Sequence, residues 1–304
     1  ALWYPAGAIP SEPPLEGALT MHERPRHWHQ WLLIMAAFAA VAILLVMPLA
    51  LIFTEAFSQG WAMVQQNLTN PDMLGAIKLT LIVALITVPV NLLFGILLAW
   101  CVTRYEFRGR KLLSTLIDIP FAMSPVVAGL CYLVVYGAQS VVGNWFSGMG
   151  VQLMFALPGM VMVTVFVTCP YVARVLIPLM ESQGQHEEEA AIILGASGWQ
   201  AFWYVTLPKI RWALLYGVVL TNARAVGEFG AVSVVSGLIR GQPLPLPLLV
   251  QMWNQDYNTV GAFTAAGLLA AMALVTLLLK TVLEWATQHN TDNATEQKTE
   301  QDTP

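Results

Sequence analysis

Three polar side chains stand inside an otherwise hydrocarbon-like segment. Asn222, Arg224 and Glu228 lie within ALLYGVVLTNARAVGEFGAVSVV, from Ala213 to Val235. An ionisable group at membrane depth costs a few kcal/mol, so it is paired or faces a cavity. Arg224 and Glu228 are four residues apart, one helical turn, and can neutralise each other. Alternatively this face lines a pathway, in which Arg224 holds an anion through charge-assisted hydrogen bonds. Glu228 then weakens the site by cancelling its charge, which suits a site that must release what it binds. Gly217, Ala223, Ala225, Gly227, Gly230 and Ala231 make the segment small-residued, which favours close helix packing against a second membrane subunit or as a pathway wall.

A second stretch, EEEAAIILGASGWQAFWYVTLPKIR from Glu187 to Arg211, interrupts the apolar sequence with charge. Glu187, Glu188 and Glu189 suit the positive dipole end of a short helix. Gly195 suits the left-handed position that closes it. Ser197, with Gln200 three residues on, forms a capping box for a second short helix. There Trp199, Phe202 and Trp203 fall at i, i+3 and i+4, one apolar face, and Leu207-Pro208 is expected to stop it. Two readings of that face stand side by side: an interfacial helix with its indoles in the headgroups, or a docking element for a soluble partner.

Enzyme chemistry finds no support in the motifs. The chain has no G-x-x-x-x-G-K-[ST] loop, no H-E-x-x-H and no G-x-S-x-G. His22, His27, His29, His186 and His289 all fall outside the apolar runs, where a proton relay would need them. Cys101, Cys131 and Cys169 fall inside the runs without the clustering that a metal site requires, so no metal or cofactor is expected in this chain.

The elements that carry these residues follow from composition. Of 304 residues 57% are hydrophobic and 11% charged, against about 25% charged in soluble domains. Six apolar runs approach the roughly 20 residues that cross a bilayer: Trp31 to Phe53, Leu79 to Val102, Leu113 to Tyr136, Gly159 to Met180, Ala213 to Val235 and Gly261 to Leu283. Pro89 and Asn91, Asp118, Pro120 and Pro125, and Pro170 interrupt them. Such breakers are tolerated where neighbouring protein re-satisfies the backbone, so the runs belong to a packed bundle. A soluble helical protein would need polar faces that segments such as LLAAMALVTLLLK, Leu268 to Lys280, do not have.

Basic residues near span ends mark the cytoplasmic side. One face collects Arg24, Arg26, Arg104, Arg108, Arg110, Lys111, Arg174, Lys209, Arg211, Lys280 and Lys298, the other only Lys78 and Arg240. Both termini and the Glu187 stretch are therefore expected in the cytoplasm. Residues 1–30 read as an extension and cytoplasmic segment, with Met21 as the expected native start; residues 284–304 read as a polar, solvated and disordered cytoplasmic tail. GQPLPLPLL from Gly241 reads as an extended outer segment that meets a partner on the outer face, or alternatively as a stiff connector or short re-entrant wall.

The spacing Glu189-Ala190-Ala191, three residues, Gly195, nine residues, Val205, one residue, Leu207-Pro208 resembles the EAA loop of permease subunits of bacterial ABC importers, with Val205 where isoleucine is usual. DIPFAMSPVVAGL from Asp118 and NARAVGEFGAVSVVSG from Asn222 resemble the sulfate and molybdate branch. NPDML near Asn70, VPVNLLFGILLAW from Val88 and DYNTVGAFTAA from Asp256 resemble the W-type permeases of sulfate/thiosulfate importers.

The resemblance implies an all-α membrane protein, a type I importer permease of six transmembrane helices over residues 31–283, with a coupling loop at about 185–210. It implies a heterodimer with a second permease, two copies of an ATPase that binds ATP and Mg, a periplasmic sulfate/thiosulfate-binding protein, membrane lipid around the spans, and no nucleic acid. Coupling falls to Glu189, Ala190, Ala191 and Gly195, with Leu207 and Pro208 closing the element. A molybdate-type or other oxyanion permease is the alternative. An ion-coupled carrier is disfavoured because no internal repeat is visible, and a scaffold because it needs no intramembrane Arg and Glu.

Overall fold

The computed structural model describes residues 28–237 and 244–301, and side chains from Trp31 to Gly237 and Leu244 to Val282. Met21, Arg240 and the GQP that opens the proline-rich segment lie outside the described residues. The chain divides into two units, Ala1–Ala50 and Leu51–Pro304.

In the first unit, α1 (Trp28–Val41) passes through a π turn (Ala42–Val46) into α2 (Met47–Ala56), which continues past the unit boundary. Pro48 has no N–H, and its ring crowds the carbonyl four residues back, so the helix widens there and Met47 N–H reaches Ala42 C=O. No side chain from Trp31 to Ala50 is buried.

The second unit holds α3 (Trp61–Leu68), α4 (Pro71–Arg104), α5 (Arg110–Ala122), α6 (Pro125–Tyr136), α7 (Val141–Gly148), α8 (Leu157–Thr168), α9 (Pro170–Gln183), α10 (His186–Ile193), α11 (Gly198–Ala201), α12 (Leu207–Val226), α13 (Gly230–Ser236), α14 (Leu246–Gln255) and α15 (Thr259–Gln301). No strand occurs among the described residues. The Asn70 side chain accepts from Asp72 N–H and opens α4 with Pro71 in its first turn.

Among the described residues four helices are long and apolar enough to cross a bilayer: Trp31–Ala56, Pro71–Arg104, Leu157–Gln183 and Thr259–Val282. The third and fifth runs expected to be continuous spans are instead broken. Arg110–Ala122 and Pro125–Tyr136 meet at 107°, and Gly198–Val226 and Gly230–Ser236 at 52°. Pro125 disfavours helical backbone at Ser124, and Gly227 offers no side chain to carry a helix on. Six spans result when each bent pair counts as one.

Two further expectations are corrected. Leu246-Pro247 starts α14, with proline tolerated in the first turn, where its missing N–H has no partner to lose; among the described residues of the segment, Leu244 and Pro245 are non-helical backbone. The tail read as disordered is helical to Gln301, and neither glycine nor proline interrupts residues 268–303.

The core sits where α4, α9 and α12 pack together, around Ala99, Val172, Leu176, Met180, Ile210 and Leu214. Gly95 makes this possible: a Cβ there would lie 2.4 Å from Val172 Cβ. Asn91, one turn earlier, donates to Thr168 Oγ1 at 2.5 Å, in a fully buried setting. A second core unites α8, α6 and α13, around Val163, Ala128 and Val235; a Cβ on Gly129 would lie 2.7 Å from Ala231 C=O. Outward, Leu85, Leu93, Leu97, Val134 and Leu278 stay exposed, the apolar surface of a bundle solvated by lipid.

Candidate functional site

Where α4 ends, α9 ends and α12 begins, the chain builds a charged knot beneath an apolar tip. Helix α10 carries all three glutamates in its first turn, and each does something different. Glu187 pairs with Lys209 Nζ at 2.5 Å. Glu188 turns inward to Arg104, whose Nη2 donates to Oε1 at 2.8 Å while Nε lies 2.7 Å from Oε2, an ion-paired fork with one hydrogen bond. These two side chains are only 8% and 12% exposed. Thr206 Oγ1 also donates to Glu188 Oε1 at 2.7 Å, and Arg104 Nη1 donates to Met180 C=O at 3.2 Å. Beside them Gln185 Nε2 donates to Thr103 C=O at 3.1 Å. Glu189 is exposed.

Gly195 ends α10 at φ +96°. Its N–H reaches Ile192 C=O at 2.9 Å and Ala196 N–H reaches Ala191 C=O at 3.0 Å, the paired bonds of a Schellman ending. An added Cβ would meet nothing within 4 Å, so glycine is needed here for backbone conformation, not for space. The capping box follows as expected: Gln200 N–H donates to Ser197 Oγ at 3.3 Å and Ser197 N–H to Gln200 Oε1 at 2.8 Å.

Leu207-Pro208 does not stop this helix. The chain passes from α11 through a π turn, Phe202–Thr206, directly into α12, with Leu207 N–H on Phe202 C=O. Proline at the start of α12 lacks the N–H that the regular ladder would use, and the ladder widens by one residue to pass it. Helix α11 and the first part of the fifth span are thus one continuous rod, Gly198–Val226. Leu207 packs on the α4–α9–α12 core, while Pro208 is exposed.

The aromatic face divides in two. Phe202 turns inward, edge-to-face with Trp100 of α4 at 5.2 Å. Trp199 stacks on Phe202 at 5.9 Å yet stays 70% exposed. Ile193 at 84% and Leu194 at 88% join it as an uncovered apolar tip, with Tyr204 also exposed. Ala190 is exposed and Ala191 half-buried.

The Asn222 group lies at the other end of α12, about 24 Å along the axis from Pro208 at 1.5 Å per residue. Arg224 Nη1 pairs with Glu228 Oε2, so the self-neutralising arrangement is present. Glu228 falls outside α12, in the break before α13, and its side chain is 1% exposed. Its Oε1 accepts from Ala231 N–H at 2.8 Å, fixing the start of α13. A Cβ on Gly230 would lie 3.2 Å from Pro125 Cβ, so the two helix breaks face each other. Asn222 is half-buried and makes no side-chain hydrogen bond among the described residues. Asp118 pairs with Arg174 at 2.9 Å, whose guanidinium lies 4.2 Å over the Phe121 ring.

The structure places Glu189, Ala190, Ala191 and Gly195 in α10 and its closing turn; the pairing of Arg104 with Glu188 was not expected from the sequence. The only signal for them was a third glutamate in a run and an arginine closing an apolar helix. Among the described residues no group of three or more His, Cys, Asp or Glu could hold a metal.

Comparisons with known proteins agree with this architecture. Residues 91–292 match the model of the "Binding-protein-dependent transport system inner membrane component" family. The sulfate transport system permease protein CysW of Escherichia coli K12 is 60% identical over 275 residues, 90% of this chain and 94% of that protein. The CysT permease protein of the same system in E. coli K12 is 35% identical over 237 residues, 77% of this chain and 86% of that protein. Among solved structures, a bacterial alginate ABC transporter in complex with an alginate-loaded periplasmic protein contains a chain of the same fold. It has a TM-score of 0.69 at 20% identity, covering 88% of this chain and 96% of that one.

Proposed function

We propose that this chain, which belongs to the binding-protein-dependent transport system inner membrane components, is the W-type permease subunit of an ATP-driven sulfate importer and couples to its ATPase through residues 185–210. The closer similarity to CysW than to CysT favours the W-type role, with a T-type permease as the other half of the pathway. Both termini face the cytoplasm, on the side where Arg104, Arg110 and Lys209 gather. ATP and Mg are held by two copies of a separate ATPase, and a periplasmic protein delivers sulfate or thiosulfate.

One observation carries the coupling role: an exposed apolar tip, Ile193, Leu194 and Trp199, mounted on a base whose charges are buried and paired. Uncovered leucine and isoleucine above a rigid base are what a groove on a soluble partner would cover. Glu189, free of the internal network, is left to orient that partner. Because α11 runs into α12 without a stop, movement of the tip tilts the fifth span as a lever instead of bending a hinge at Pro208.

At the far end of that lever stand Asn222, Arg224 and Glu228, which we place on the translocation path. Arg224 is 29% exposed while Glu228 is enclosed, so the guanidinium faces the open side with its charge largely cancelled. A passing dianion meets a weak site and leaves it.

The test is uptake of radiolabelled sulfate by proteoliposomes holding this subunit, the T-type permease, the ATPase and the binding protein, with each omitted in turn. Uptake that needs all four and ATP is expected, and competition by thiosulfate and by molybdate then ranks the substrates. Uptake by this chain alone on an ion gradient would overturn the reading. Gly195→Asp is expected to leave insertion intact, abolish uptake and loosen the ATPase; normal uptake by that variant removes the coupling role.

A further inference from the structure

We infer that Glu188, not Glu189, is the carboxylate that transmits force from the loop to the membrane helices, through Arg104. The inference rests on the coupling role proposed above and names the residues that perform it within this chain. A tip can drive a bundle only if it is tied to more than the helix that follows it. The bond from α11 into α12 moves one span; some other contact must bring α4 and α9 along.

Four elements converge on one carboxylate–guanidinium fork. Glu188 comes from α10 and Arg104 from the last residue of α4. Thr206, 1% exposed, comes from the π turn and donates to Glu188. The Met180 carbonyl in the last turn of α9 accepts from Arg104. Helix α10 has no buried residue of its own, so apolar packing does not seat it. Its seat is the Glu188 fork, the Lys209–Glu187 pair and the Gln185 bond to Thr103 C=O. Of these, only the fork is enclosed, its charges joined by the Nη2–Oε1 hydrogen bond and the 2.7 Å Nε–Oε2 contact. A pull on α10 therefore reaches α4 and α9 through Glu188, while the exposed Lys209–Glu187 pair yields to water.

Glu188 and Arg104 are positioning residues: they touch neither the anion nor ATP. The test uses the assembled four-component complex and three readouts: ATPase copurified with the permeases, the concentration of sulfate-loaded binding protein giving half-maximal stimulation of ATP hydrolysis, and the maximal stimulation. Glu188→Gln, Arg104→Gln and the double variant are each expected to retain copurified ATPase and the half-maximal concentration while maximal stimulation falls at least 10-fold. The double variant is expected to fall no further than either single one, because all three remove the same link. Thr206→Ser should stimulate like the unmodified protein, and Thr206→Val should lie between it and Glu188→Gln.

Full stimulation in Glu188→Gln, or additive losses in the double variant, would overturn the proposal. So would loss of copurified ATPase in both single variants together with normal stimulation in Thr206→Val, which would mark the fork as a seat for folding alone. Gly195→Asp run in parallel separates the two levels. If it abolishes stimulation while Glu188→Gln does not, the loop couples but not through this fork; if neither does, the coupling reading itself fails.

Discussion

Gly195 offers a measurement in which conformation and crowding make opposite predictions. Its φ of +96° lies in the left-handed region, and an ideal Cβ built on it meets nothing within 4 Å. Any cost of a side chain within this subunit is therefore backbone cost, about 1–2 kcal/mol for an ordinary L-residue. It is smallest for asparagine, which tolerates the left-handed region, and largest for a β-branched residue. About 1–2 kcal/mol shifts a two-state ratio roughly 5- to 30-fold. The two Schellman bonds, Gly195 to Ile192 and Ala196 to Ala191, stand or fall with that conformation, and with them the presentation of Ile193 and Leu194. Titrating the ATPase into solubilised permease pairs should give affinities in the order Gly195, Gly195→Asn, Gly195→Ala, Gly195→Val. The alanine variant should be weaker by roughly 5- to 30-fold, and the yield of folded subunit should be unchanged across the series. Asparagine binding more weakly than alanine would refute the strain argument, because it would mean that the partner approaches Gly195 so closely that side-chain size decides. Valine binding as tightly as glycine would remove the turn from the joint altogether.

Other expectations follow from the packing and the charges. Gly95→Ala drives a Cβ to 2.4 Å from Val172 Cβ, an overlap expected to cost about 1–3 kcal/mol and to lower the melting temperature of the subunit in detergent; an unchanged melting temperature would mean that α4 and α9 separate without cost. Arg224→Gln leaves the Glu228 carboxylate enclosed without its cation and should cost about 3–5 kcal/mol. The double variant Arg224→Gln/Glu228→Gln should melt higher than Arg224→Gln, measured by the temperature at which monodisperse complex is lost. Trp199→Ala, at a 70% exposed position, should change subunit stability by less than about 0.5 kcal/mol and weaken ATPase binding; equal binding would assign the indole to the lipid headgroups instead.

What the amino-acid sequence determined here is whatever is settled within a few residues or by bulk solvation. Gly195, Ser197 and Gln200 were legible because their bonds close within five positions of each other. The membrane character was legible because runs of leucine, valine and alanine have no polar face at any period. Arg224 and Glu228 were legible as a pair because one turn separates them. Prolines were legible as interruptions but not as outcomes. Pro208 and Pro247 open helices, while Pro125 follows a turn of 107°. The same missing N–H is tolerated in a first turn, bypassed by a π turn or used to reverse direction, according to what packs around it. Only the tertiary structure decided which of three adjacent glutamates is enclosed. Glu188 meets Arg104 across 84 positions of sequence, and whether a carboxylate is solvated or buried depends on which helix ends converge on it. Nor could sequence show that Gly95 receives Val172, since a glycine reads alike whether it serves a turn or the close approach of another helix. Local bonds are written in neighbouring residues; the link that joins the loop to the bundle exists only once distant helix ends have met.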